Sequence, residues 1–426
     1  MIIRQKYLDQ LMAFRDKDLV KVVTGVRRCG KSTLLDMTRE ELERQGVPKE
    51  RLLSFKMESM EYDGLDYRGL YDLVRQKAEG VDHPYLFFDE LQEIAGWERA
   101  VNSLRVDIDC DIYITGSNAY LLSSELSTLL SGRYVEVEML PLTFSEYLDF
   151  QGASPASRVA AGADLLELAD GSLATVEGML EQYRRFGGLP YLALGEPDAG
   201  EHAAYCKSLY DTVIVRDILQ RDARRDRRRL TNPELLKRVC GFLADNIGNE
   251  NSVNSIAGVL RSQRVEAAND TVDAYIAALC EGYLFYPVKR YDIKGKEMLK
   301  TGGKHYIVDG GLRNFILGYR DSDQGRVFEN MVFHQLRYDG YAVSIGKLRS
   351  GEVDFVATRG SERAYVQVTE DMTDPATMER ELRPLRAIRD AYPKAVVAMR
   401  GSYPSEIEGI KILSAADFLL HRRKIG

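Results

Sequence analysis

The chain has 426 residues, 45% hydrophobic and 29% charged, with a formal net charge of −7. That length exceeds one ordinary core and implies two to four domains. The balance is that of a globular protein and excludes one that is basic all over, so nucleic-acid contact would need a local patch.

In chain order, "LVKVVTG" (19–25), "LLSFKM" (52–57), "PYLFFDE" (84–90), "DIYITGS" (111–117) and "RYVEVEM" (133–139) read as strands. Helical patterns lie between them, in "STLLDMTREELERQG" and "GWERAVNSLRVDI". This alternation predicts an α/β fold with a parallel sheet covered on both faces. Residues 152–164, rich in Ala, Gly and Ser, read as a flexible insertion. Residues 165–220 read as mostly helical, broken at "FGGLP" (186–190). The run "RDARRDRRR" (221–229) carries six arginines against two aspartates. Three helical patterns follow, at about 233–247, 253–262 and 270–281, then two strands around a Gly- and Lys-rich turn (283–309). Three short helices and a hairpin are the plan of a winged helix. A compact α/β unit of about 100 residues closes the chain, beginning with a helix near 326. The expected division is therefore 1–150, 151–230, 231–310 and 311–426.

The N-terminus lacks the apolar core of a signal peptide, and no apolar run approaches the roughly 18 residues of a membrane span. The cysteines, Cys29, Cys110, Cys206, Cys240 and Cys280, are odd in number and without C-x-x-C spacing, so no disulfide framework or zinc site is expected. The reducing cytoplasm is the expected compartment.

"TGVRRCGKST" carries the spacing G-x-x-x-x-G-K-S between a strand and a helix. Backbone N–H groups of such a turn, with the helix N-terminus, cradle phosphate oxygens. Gly25, Val26, Arg27, Arg28, Cys29, Gly30, Lys31, Ser32 and Thr33 are thus the candidate ATP-binding residues. Lys31 is expected on the β- and γ-phosphates and Ser32 on Mg²⁺. Asp89, ending a buried strand, is expected to hold the same ion, and Glu90 to take a proton from the attacking water. Ser117 or Asn118, after the next strand, would sense the γ-phosphate or the water. Arg133 reads either as a finger reaching the γ-phosphate of a neighbouring subunit or as a plain surface arginine.

These motifs, with "LFFDELQEIAGWERAVNSL", "YITGSNAYLLSSELSTLLSGRYVEVEMLPLTFSEYL", "FGGLPY", "YIVDGGLRN" and "EVDFVA", run in order along nearly the whole chain. In them the sequence resembles the bacterial and archaeal AAA-type P-loop ATPases that carry a C-terminal domain of unknown function. The resemblance implies an ATP- and Mg²⁺-dependent switch or motor. It also implies a helical lid, a winged helix and a restriction-endonuclease-like fold behind the ATPase core.

The second half gives mixed signals about double-stranded DNA. The helix expected to enter a groove, "TVDAYIAALCEG", carries Asp273 and Glu281 and no Lys or Arg, which suits phosphates poorly. The wing offers Lys289, Arg290, Lys294, Lys296 and Lys300, six cations with Lys304, against Asp292 and Glu297. Wing and arginine run could grip a backbone without reading sequence; the run could equally be a solvated helix face or a linker. In the last unit Glu329, Glu352, Asp354 and Gln367 follow the order of a metal-nuclease site, in which two carboxylates hold a divalent ion. Gln367 stands where an acid is usual and Thr369 where a lysine would be, so a degenerate site without cleavage is expected. The expected partners are ATP, a second copy of the chain if rings form, and DNA through the basic patches, with no membrane.

Overall fold

The computed structural model describes residues 2–117, 132–155, 164–195, 197–220, 230, 232–320, 323–349 and 351–426. The chain divides into two units, residues 1–140 with 281–283, and residues 141–280 with 284–426. Among the described residues no helix is long and apolar enough to cross a membrane.

In the first unit the elements are α1 (Gln5–Met12), β1 (Val20–Thr24), α2 (Lys31–Arg44), β2 (Leu52–Lys56), α3 (Tyr67–Lys77), β3 (Tyr85–Asp89), α4 (Trp97–Asp107), β4 (Asp111–Thr115) and β5 (Tyr134–Glu138). The strands form one sheet in the order β2-β3-β4-β1-β5, every pair parallel. All five residues of β1 are buried, as a strand covered on both faces requires. Phe55, Leu86, Phe88, Ile112 and Ile114 pack with Leu70 and Val74 of α3 and Trp97, Val101 and Leu104 of α4. The buried Lys21 is tolerated inside β1 because Asp111 of β4 pairs with it, and Asp111 also accepts from the Tyr113 hydroxyl at 2.9 Å.

In the second unit, α5 (Phe144–Phe150) opens on a capping box between Thr143 and Glu146. The mostly helical reading of 165–220 is corrected at its start. β7 (Leu165–Glu167) and β8 (Leu173–Thr175) pair antiparallel, and β6 (Ser154–Pro155) joins β7. Asp170, Gly171 and Ser172 make the turn, with the Asp170 carboxylate accepting from the Ser172 amide and hydroxyl. Helices α6 (Val176–Phe186) and α7 (Ala199–Asp211) follow; α7 runs on as a π-helix over Thr212–Gln220. The arginine run 221–229 and most of the expected insertion, 156–163, lie outside the described residues.

Helices α8 (Pro233–Asp245), α9 (Val253–Ser262) and α10 (Asn269–Glu281) precede a hairpin of β9 (Phe285–Asp292) and β10 (Glu297–Ile307). The three helices and the hairpin come in the order expected, but the hairpin is not the free-standing one that a winged helix implies. It begins an eight-stranded sheet, β10-β9-β11-β12-β13-β14-β16-β15. The further strands are β11 (Ala342–Leu348), β12 (Gly351–Arg359), β13 (Glu362–Asp371), β14 (Lys394–Arg400), β15 (Glu406–Ile407) and β16 (Ile410–Ser414). β9 runs parallel to β11, with Ile345 opposite Arg290. An isolated wing would be polar on both faces; here Tyr306 stacks on Phe333 at 4.4 Å and lies 5.6 Å from Phe355. Helices α11 (Gly310–Leu317), α12 (Gln324–Tyr338), α13 (Pro375–Arg386) and α14 (Ala415–Leu419) complete the unit.

His334 of α12 makes this unit acid-sensitive. Its Nε2 lies 2.7 Å from the Ile307 carbonyl and must carry the proton, while Nδ1 is buried with no hydrogen-bond partner among the described residues. Burial, aided by the Arg337 charge, holds its pKa at about 4. The folded pKa lies below the unfolded value, so this contribution is complete above about 6.5 and is lost as pH falls towards 4. Between pH 7 and 4 the His334→Gln protein is expected to lose up to about 3 kcal/mol less stability than the parent, measured by denaturant unfolding at each pH.

Candidate functional site

Parallel strands that end at one edge of a sheet deliver their last residues to one place, and three neighbours, β1, β4 and β3, do so here. Val23 is opposite Thr115, and Ile114 is opposite Phe88. Beyond β1 the chain turns sharply into α2. Gly25 has φ 135°, and a Cβ there would lie 2.2 Å from the Met139 carbonyl oxygen, so only glycine allows the loop to approach β5. Arg28 and Gly30 also take left-handed backbone conformations, φ 65° and 102°. Val26 and Cys29 are fully buried beneath the loop, and burial pushes the Cys29 thiol up. They offer a ligand backbone groups only. Ser32 and Thr33 face outward at the start of α2. The buried Lys31 ammonium donates to the carbonyls of Gly25 and Val26 at 3.1 and 3.0 Å. Arg27 pairs with Glu58 beyond β2 at 2.8 Å.

The acidic pair closes the opposite side. Ser32 Oγ donates to Asp89 Oδ1 at 2.9 Å, so the hydroxyl and carboxylate expected at one cation are in contact. Glu90 has φ 55°, a left-handed conformation that costs a non-glycine residue about 1 kcal/mol or more. The strain is held by Thr115. Its hydroxyl donates to Asp89 Oδ1 at 2.6 Å and accepts from the Glu90 amide at 2.9 Å. The Glu90 side chain is buried, and its Oε2 accepts from Ser117 Oγ at 3.3 Å and from Gln92 Nε2. Asn118 lies outside the described residues.

Arg133 is not at this edge. It precedes β5, whose Tyr134 is opposite Val20 at the start of β1, so five residues of strand, about 16 Å, separate it from the loop. There it is exposed and lies 3.4 Å from Asp18. Three residues that the motifs do not single out also shape the site: Thr115, Gln92 and Arg4. The Arg4 guanidinium is buried, donates to the Cys29 and Leu140 carbonyls at 3.3 and 2.7 Å, and lies over Tyr7. Thr115 and Gln92 stand inside the motif segments "YITGSN" and "DELQE"; Arg4 has no local signal.

In the second unit Glu329, Glu352 and Asp354 do converge, but around Lys304. Its Nζ lies 2.5 Å from Glu352 and 3.4 Å from Glu329. The Tyr306 hydroxyl also donates to Glu329, at 2.6 Å. Burial raises the Glu329 and Asp354 carboxyls, and their charges hold the Lys304 ammonium above its ordinary value despite burial. Asp354 accepts from the Val368 amide at 2.8 Å, and Gln367 is committed to the Asp354 amide and to Glu381. Among the described residues no group of three His, Cys, Asp or Glu is placed to hold a metal ion. As a sixth cation of the expected wing, Lys304 is expected on a DNA backbone. It is instead 5% exposed and neutralised, since β10 turns it into the sheet's own carboxylates. Arg290 of β9 likewise pairs with Glu250, at 3.0 Å.

A family described as an AAA domain matches residues 17–148, and one described as a domain of unknown function (DUF8612) matches residues 177–323. A protein of Haemophilus influenzae, named only as uncharacterised, is 37% identical over 422 residues, 99% of each chain. The chain belongs to the same family as this protein, and its own residues 17–148 are an AAA domain. An uncharacterised protein of Methanocaldococcus jannaschii is 27% identical over 388 residues, 88% of this chain and 78% of that one. The solved structure of a Walker-type ATPase of Pyrococcus abyssi is similar over 74% of this chain and 96% of its own, at 13% identity and a TM-score of 0.47. The matched AAA segment runs from Lys17 to Leu148 and so contains the phosphate loop, Asp89, Glu90 and Thr115. An AAA domain implies nucleotide binding.

Proposed function

We propose that the AAA domain binds ATP with Mg²⁺ and hydrolyses it. The observation that carries this reading is the hydrogen-bonded chain from Ser32 through Asp89 and Thr115 to Glu90, at the edge where the phosphate loop begins. The donor set fits the ligands. Loop amides, Lys31 and the start of α2 suit a triphosphate, and the Ser32 and Asp89 oxygens suit a hard cation. Mg²⁺ held there supplies charge neutralisation at the β- and γ-phosphates. Lys31 shares that load, Glu90 takes a proton from water, and Ser117 or Asn118 answers to the γ-phosphate. Arg133 acts as a finger only in a second copy of the chain, since its own loop lies about 16 Å away along the strand. Glu90→Gln keeps shape and loses the basic oxygen. It is expected to bind ATP as the parent does and to lower turnover by roughly 10²–10⁴, read by phosphate release. Turnover at the parent rate would refute the assignment of Glu90.

The helical segment after residue 150, the winged-helix pattern and the C-terminal sheet form the output half in this reading. We take the Lys304–Glu329–Glu352 cluster as an internal ion-pair network that ties the hairpin to the sheet, not as a cleaving site. DNA contact rests on the arginine run 221–229 and on the exposed wing lysines Lys289 and Lys296. A second reading is a slow nucleotide-gated switch whose output is partner binding, favoured by the buried and neutralised Lys304. Stimulation of hydrolysis by double-stranded DNA supports the first; a slow, DNA-indifferent rate supports the second. The five free cysteines fit a cytoplasmic setting.

A further inference from the structure

Gln92 has no part in the phosphate-loop motifs, yet it is built against the proposed base. Its Nε2 donates to Glu90 Oε2, which also accepts from Ser117 Oγ at 3.3 Å. A carboxylate accepts only, so the amide orientation is set: nitrogen towards Glu90, oxygen away. That Gln92 Oε1 is buried and has no donor among the described residues. An amide's oxygen and nitrogen lie about 2.3 Å apart, which places an unsatisfied acceptor within about 5 Å of the base. A buried acceptor without a donor is costly and calls for an explanation. Among the described residues Glu90 Oε1 accepts no protein hydrogen bond, whereas Oε2 carries two.

We propose that Gln92 is a positioning residue for the attacking water: Gln92 Oε1 accepts one hydrogen of that water while Glu90 Oε1 takes the other as the proton transferred. The balance is simple. The water oxygen forms the new bond to the γ-phosphorus, the bond to the β–γ bridging oxygen breaks, and the proton passes to Glu90 Oε1. The second hydrogen stays on the new phosphate oxygen. Without Gln92 the water keeps one partner and can rotate about it, so fewer collisions are in line. The Gln92 N–H fixes the Glu90 carboxylate by the same contact, so one amide orients both base and nucleophile. The inference rests on the hydrolytic reading of this site.

The test uses the full chain. Gln92→Met keeps the volume and loses both polar atoms. Expected is a roughly 10- to 100-fold lower kcat with KM for ATP within about 2-fold and unchanged affinity for a non-hydrolysable ATP analogue. Gln92→Glu keeps an acceptor but turns the donor to Glu90 into a like charge; a kcat at or below that of Gln92→Met is expected. The decisive readout is the double variant Gln92→Met with Glu90→Gln. Residues acting on one water are non-additive, so it is expected to be no slower than Glu90→Gln alone. A Gln92→Met protein with the parent kcat, or a double variant whose losses multiply, overturns the proposal and leaves the ATPase reading intact. A parent protein that binds ATP without hydrolysing it overturns both.

Discussion

Lys31→Ala is expected to abolish measurable ATP binding while leaving the AAA domain folded. In the structure the ammonium is 4% exposed and held by two neutral acceptors, the carbonyls of Gly25 and Val26. Ionised phosphate oxygens are the better partners. Charge-assisted bonds contribute about 1.5–3 kcal/mol each, so losing two weakens binding by roughly 10²–10⁴. The fold has little reason to fail. Lys31 opens α2, and alanine is the best helix former, so the substitution suits the helix. Calorimetric titration with ATP and Mg²⁺, beside a thermal melt, checks both halves. Unchanged affinity in a folded variant would mean that the cradle is not the nucleotide site.

The second large effect is structural and lies far from the nucleotide loop in sequence. Gly311→Ala is expected to destabilise the second unit by at least about 4 kcal/mol, beyond the usual range for one substitution. A Cβ at Gly311 would sit 2.0 Å from the Phe186 carbonyl oxygen and 2.4 Å from its carbon. Both are backbone atoms of the end of α6, so no rotamer change relieves the clash. Asp309 locks the same junction. It caps α11 by accepting from the Leu312 amide at 2.8 Å and reaches across to the Gly188 amide at 2.7 Å, and burial pushes its carboxyl up to about 6. Gly188 in turn approaches the Leu142 carbonyl, which a Cβ there would meet at 2.3 Å. Gly318 is the control. Its φ is 79° but nothing lies within 4 Å of a Cβ there, so Gly318→Ala should cost only the left-handed strain, about 1–2 kcal/mol. Denaturant unfolding of the two variants checks the contrast; equal midpoints would show that α6 and α11 are not so closely joined.

The sequence by itself determined the first unit almost completely. Its strands are short apolar runs buried on both faces, and its phosphate loop needs glycine and lysine at set spacing. Both are local demands that leave local marks, so Lys31, Ser32, Asp89 and Glu90 could be named from neighbours in the chain. Thr115 and Gln92 lie within "YITGSN" and "LFFDELQEIAG", yet their roles depend on which atoms face Glu90 across β4, and spacing does not carry that.

The tertiary structure decided what depends on distant segments meeting. The basic pattern 289–304 reads as a DNA-facing wing, because local charge says nothing of what the other side of a strand meets. Pairing of β9 with β11 turns Lys304 towards Glu329 and Glu352, and a cation counted for a phosphate backbone becomes a partner for the sheet's own carboxylates. The "FGGLP" segment reads as an ordinary break in a helical stretch, and "YIVDGGLRN" only as a part of the family resemblance. Only their contact, over 120 residues apart in sequence, shows that their glycines are there because two backbones touch. Hydrophobic period and turn chemistry act within a few residues, whereas ion pairs and close packing act through space, and in this chain the second unit is built on the latter.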